Sequence, residues 1–156
     1  MDQLRRYAII AAACSATMLA ASAVPQIEIQ LPGKFGEFRV INRGETIQLN
    51  STVKVQQKTP GGWQDAPVTN LRLRASCEAG AATECMTLAA GASLQPPSWT
   101  GSYCSSQCLS NCNLDGPAPP GTYRYVISSC DGEHKFVSPP FEKKPQNSAG
   151  ADHSGK

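Results

Sequence analysis

The sequence predicts an all-β domain, an antiparallel β-sandwich of about seven strands carrying a disulfide-rich insert loop. Three observations predict it. Apolar and polar residues alternate in short runs closed by turn residues, no window sustains a helical period, and six cysteines follow an apolar leader.

The leader comes first. Arg5 and Arg6 form a basic start, Tyr7 to Ala20 is almost wholly apolar, and Ala21-Ser22-Ala23 supplies a small-residue cleavage pattern. Residues 1–23 therefore read as a signal peptide, and the mature chain, beginning at Val24, is expected to be secreted or held in the periplasm or cell envelope. The apolar run is short for a membrane span, which takes roughly 20 residues, and no later run is apolar enough, so no transmembrane span is expected. A competing reading makes Cys14 a lipid anchor, because Ala11-Ala12-Ala13-Cys14 resembles a bacterial lipobox. Against it, Ala11 stands where such boxes carry leucine, and Thr17 to Ala23 is small and apolar where a polar tether would follow.

Either route removes Cys14 and leaves Cys77, Cys85, Cys104, Cys108, Cys112 and Cys130. An even set in an exported chain reads as a disulfide framework. Past residue 23 the chain keeps 12 of its 14 basic and 11 of its 12 acidic residues, a net charge of +1. With no basic stripe, nucleic acid is not an expected partner.

Within the expected domain, residues 24–142, Gln26 to Leu31 reads as a short strand closed by Pro32-Gly33. Phe35 to Ile41 follows and ends at Asn42-Arg43-Gly44. The clearest strand is 46-TIQLNSTVKVQQK-58. There Ile47, Leu49, Val53 and Val55 share one face, while Gln48, Asn50, Thr52, Lys54 and Gln56 share the other. Val68 to Cys77 repeats the pattern with Leu71, Leu73 and Ala75 inward, and Met86 to Leu88 is a short piece. Thr122 to Cys130 and Lys135 to Phe141 are the last strands, joined through the hairpin signal Asp131-Gly132 and stopped by Pro139-Pro140. The ending from Lys143 to Lys156 holds no apolar residue larger than alanine and reads as a disordered tail.

The phrase 119-PPGTYRYVIS-128 resembles a late strand of Ig-like or fibronectin-type-III-like modules of exported bacterial proteins. The likeness covers about ten residues; it implies an Ig-like sandwich and no particular activity. The antibody-type Cys…Trp…Cys core is absent, since Trp63 and Trp99 both lie in loop-like contexts.

Residues 90–121 form one long region without strand pattern, and such loops are functional or covalently tied down. Cys104, Cys108 and Cys112 recur every fourth residue, which would align three thiolates on a helical face. Structural zinc sites, however, use paired C-x2–4-C ligands, and exported thiols are oxidised. A redox dithiol would need C-x-x-C in a thioredoxin-like context. The run Asn111-x-Asn113-x-Asp115-Gly116 matches the first half of a calcium loop, but Thr122 stands where the bidentate glutamate belongs, and asparagine and aspartate also cap ordinary turns. No metal, cofactor or catalytic residue is therefore assigned.

Disulfides remain. Helical cysteines at i and i+4 have Cβ atoms about 5–6 Å apart, too far for a disulfide at about 3.5–4.5 Å; they would bond outward to Cys77, Cys85 and Cys130. The serines between them favour an irregular segment instead. The expected pairing is Cys77–Cys85 across a loop base, Cys130 to one insert cysteine, and one bond inside the insert.

Hydrolase signatures of the G-x-S-x-G and H-E-x-x-H kinds are missing. His134 beside Asp131 and Glu133 reads as a solvated turn residue. Trp63, Trp99 and Tyr103 are the candidate contacts for a protein or glycan partner, with Trp99 favoured as packing beneath the insert. The expected function is that of an exported, non-enzymatic binding or envelope-associated interaction module, with recognition carried by residues 99–120. The alternative is an inhibitor of an extracellular hydrolase, a protease or lysozyme, presenting the same loop.

Overall fold

A computed structural model describes residues 24–67, 71–73, 85–103 and 116–145. The strands are β1 (Ile27–Gln30), β2 (Arg39–Asn42), β3 (Ile47–Asn50), β4 (Lys54–Thr59), β5 (Gly62–Asp65), β6 (Cys85–Leu88), β7 (Ser93–Leu94), β8 (Ser102–Tyr103), β9 (Gly116–Pro117), β10 (Gly121–Ser128), β11 (Lys135–Val137) and β12 (Phe141–Lys143). Every pairing is antiparallel, and no helix occurs among the described residues. It follows that no helix among them is long and apolar enough to cross a membrane.

The all-β, sandwich-like fold has one sheet in the order β1-β2-β7 and a five-stranded sheet in the order β11-β10-β4-β5, with β12 also on β10. β12 takes the start of β10, Thr122 facing Glu142, and β11 takes its end, Ile127 facing Phe136. Two further ladders, β3-β6 and β8-β9, complete the set.

Alternation decides what lies between the layers. Ile29 faces Val40 across β1-β2, and Tyr125 faces Val55 across β10-β4; all four are buried. Phe38 stacks on Tyr125 with ring centroids 4.4 Å apart, and Leu49, Val53, Leu71, Leu73 and Leu88 extend the same core. Gly36 tightens the entry to β2. At φ +81° its backbone lies so close to Trp99 that a Cβ would sit 1.9 Å from the Trp99 carbonyl oxygen, which only glycine allows.

The interior also holds a polar knot. Asn42, fully buried, donates from Nδ2 to the carbonyls of Glu45 (2.7 Å), Leu88 (3.0 Å) and Ala89 (3.0 Å), and its Oδ1 accepts from the Gly44 N–H. One short side chain thus joins the β2-β3 turn to the end of β6. Each buried group left unpaired costs about 1–3 kcal/mol, so Asn42→Ala is expected to lower the unfolding free energy by at least about 2 kcal/mol. Urea unfolding followed by fluorescence measures this, and an unchanged midpoint would refute it.

Several strands differ from expectation. The run 46–58 is two strands, because the Asn50 side chain accepts the Thr52 N–H (2.9 Å) and turns the backbone. Val53 N–H then donates to Leu71 O (2.9 Å) and Leu73 N–H to Ser51 O (2.7 Å), carrying the chain from the β3-β6 ladder into the five-stranded sheet. The facing still follows the alternation: Leu49, Val53 and Val55 are buried and Ile47 packs against them.

Trp63 lies on β5 rather than in a loop, because Pro60-Gly61 closes a tight β4-β5 hairpin with Thr59 opposite Gly62. Lys135 to Phe141 divides at Pro139-Pro140 into β11 and β12, and the region expected to lack strands carries β7, β8 and β9. The sheet also runs one residue into the expected tail, since Lys143 pairs with Gly121 and is buried. The leader with Cys14, the cysteines 77, 104, 108 and 112, the calcium-like residues Asn111, Asn113 and Asp115, and residues 146–156 lie outside the described residues.

Candidate binding surface at the insert

The residues on either side of the 104–115 segment pair in the β8-β9 ladder, with Ser102 opposite Pro117 and Tyr103 opposite Gly116. Ala118 N–H donates to Gly101 O at 2.8 Å just below it. The ladder is bolted to the core by aromatic side chains. Trp99 Nε1–H donates to Ser102 O (2.9 Å), and the Tyr103 and Tyr123 hydroxyls meet at 3.4 Å. Tyr123 in turn donates to Pro119 O at 2.7 Å.

Trp99 is 2% exposed, with Tyr123 set edge-on at 5.1 Å. Its indole is a packing element under the insert and presents no ring face to a partner. Tyr103 is half-buried, its hydroxyl engaged by Tyr123. Trp63 lies on β5, the end strand of its sheet among the described residues, with the Arg124 guanidinium 4.2 Å above its ring. One ring face is therefore already covered by a cation, a contact worth about 0.5–1 kcal/mol at a surface. The structure thus brings Trp99 and Tyr103 together and leaves Trp63 separate.

The expected disulfide Cys77–Cys85 is not formed: Cys85 is bonded to Cys130. The reason is topological. β3 pairs with β6 so that Asn50 faces Cys85, and the Cys130 N–H donates to Gln48 O (2.9 Å). Both half-cystines therefore flank β3, with Cα atoms 5.9 Å apart, inside the usual bonding range. Cys130 is consequently not tied to the insert either.

Around His134 the groups build a turn. The Ser129 hydroxyl donates to Asp131 Oδ1, which also accepts the Glu133 N–H (2.9 Å), and Ser129 Oγ accepts the His134 N–H (3.0 Å). The Ser129 hydroxyl and the Glu133 N–H hold the Asp131 carboxyl below the usual carboxylate range. The imidazole lies alongside Phe136 and takes no part in these bonds. This is hairpin capping, with the serine hydroxyl turned to a carboxylate and away from any base.

Burial pushes the phenols of Tyr123 and Tyr125 well above the usual tyrosine range; for Tyr123 the hydrogen bond to Tyr103 adds to it. The folded pKa is raised, so this stability is fully present below the unfolded value of about 10 and is lost as pH rises above it. Each buried tyrosine is expected to remove about 1.4 kcal/mol per pH unit above that point. Urea midpoints and tyrosinate absorbance should show the onset together. Tyr125→Phe should flatten the decline, and a pH-independent midpoint would refute it.

No protein-family model, curated protein or solved structure matches this chain.

Proposed function

We propose that the chain is an exported, non-enzymatic binding module of the cell envelope or extracellular space, with recognition carried by the 99–120 segment. The observation that carries this reading is the base of that segment. A two-rung ladder, Trp99 and the Tyr103–Tyr123 contact hold its two ends against the core, so a recognition loop built on them binds with little added ordering entropy. The Cys85–Cys130 bond supports an oxidising compartment. An Ig-like topology of exported modules accords with the all-β fold and the strand 121–128.

The same base favours a second reading, an inhibitor of an extracellular protease or lysozyme, whose loop would enter the enzyme's cleft.

One exchange tests both. Replacing residues 104–115 with a Gly/Ser linker of equal length keeps every residue of the ladder but also removes Cys104, Cys108 and Cys112, so urea unfolding first checks that the exchanged protein folds. Binding to a glycan array, or stoichiometric inhibition in a protease and lysozyme panel, should disappear. Trp63→Ala serves as the comparison. Glycan retention lost with Trp63→Ala but kept after the exchange would move recognition to β5 and overturn the assignment to the insert.

A further inference from the structure

Between the β1-β2 connection and β12 the surface opens into a cleft of about 560 Å3, within the range of small-molecule sites, about 300–1,000 Å3. Its apolar lining comes from Leu31, Phe35, Tyr125 and Phe141. Phe35 is 44% exposed, an unusual state for a ring that packs edge-on against Phe141 at 6.0 Å and tilts over Trp99 at 5.7 Å. A wall of the cleft is therefore an aromatic cluster with one face left to solvent.

The charges around it are uneven. Lys34, Lys143 and Lys144 line the cleft, with Glu37 and Glu142 as the acids. Glu142 Oε1 accepts the Thr122 hydroxyl at 2.6 Å, and Glu37 lies 3.9 Å from Lys34. Lys143 is different. The residue is 6% exposed because its stem is buried, while its ammonium reaches the surface and makes no hydrogen bond or ion pair among the described residues. A lysine stem laid along apolar surface with its ammonium at the solvent boundary leaves that charge open to an anion.

Gly101 shows how the lysine comes to lie there. A Cβ on Gly101 would sit 2.9 Å from Lys143 Cε and 3.0 Å from Phe35 Cε1, and its φ of +79° suits glycine alone. The missing side chain lets the lysine stem cross the backbone beside the exposed phenylalanine. An unmatched ammonium and an uncovered ring thus share one cleft.

We infer that this cleft is a binding site for an amphipathic carboxylate, a small molecule with one anionic head and an apolar body. Lys143 takes the head, Lys34 and Lys144 supply a positive rim, and Phe35 and Phe141 cover the body. This site is separate from the recognition proposed for residues 99–120 and does not depend on it.

Laurate and 2-naphthoate, with dodecanol and 2-naphthol as their uncharged counterparts, probe the oxidised protein by calorimetry and amide chemical-shift mapping. Both acids are expected to bind with shifts centred on Phe35, Thr100 and Phe141, and more tightly than the alcohols. Lys143→Met keeps the stem and removes the charge; it should weaken the acids by about tenfold or more, the value of a hydrogen bond to a charged group, and leave the alcohols unchanged. Thr100→Trp, at an exposed rim position, should weaken acids and alcohols alike and stands in if Lys143→Met fails to fold. No binding of either acid, equal affinity of acids and alcohols, or shifts centred elsewhere would overturn the site.

Discussion

Replacing Cys85 and Cys130 together by alanine is expected to lower the unfolding free energy by about 4 kcal/mol, the loop-closure value for a separation of 45 residues. The bond joins the start of β6 to the residues after β10, on either side of β3. Its loss frees the unfolded chain while leaving the native ladders in place. Urea unfolding of oxidised protein and double variant should therefore show a large midpoint difference, with a steeper slope for the double variant because its unfolded chain is less compact. A difference under about 1 kcal/mol would refute the assignment, and a peptide map of non-reduced protein should recover the two half-cystines in one fragment.

Phe38→Ala should cost nearly as much, about 3–5 kcal/mol. Phe38 is fully buried and stacked on Tyr125, whose hydroxyl donates to Gly36 O at 3.0 Å while Trp99 N–H donates to the same carbonyl. Removing the ring opens a cavity between the layers, where Tyr125 and the neck at Gly36 hold the backbone and limit collapse. Phe38→Leu, which keeps most of the volume, should cost clearly less. Equal losses for the two variants would mean that the site relaxes freely.

Facing was legible in the sequence because it needs only a period of two: Leu49, Val53 and Val55 are core residues as their alternation indicates. The break at Ser51–Val53 was not, because alternation continues unchanged while the partners change, and those partners, Leu71 and Leu73, lie some twenty residues away. Cysteine pairing failed for the same reason. Proximity along the chain favoured Cys77 for Cys85, whereas the observed bond depends on where β3 lies.

At the candidate sites the limits were chemical. Trp63 sits among polar neighbours and offered no alternating run, although Pro60-Gly61 was a turn signal. The packing role of Trp99 was readable from its place at the foot of the insert. Lys143 looked like the start of a charged tail, and only its register opposite Gly121 and the space over Gly101 bury it.

The passage through Ser51–Val53 has a consequence for how the protein comes apart. One continuous stretch belongs to the β3-β6 ladder at one end and to the five-stranded sheet at the other, with Leu71 and Leu73 holding it between. The small ladder therefore cannot open without dragging β4 away from β10, and the disulfide ties that same ladder to the end of β10. Neither of these two ladders has a private way to melt, so they are expected to open together. The amide protons of Val53 and Leu73, two rungs that no regular strand contains, are expected to exchange only when both ladders open, which hydrogen exchange followed by NMR checks.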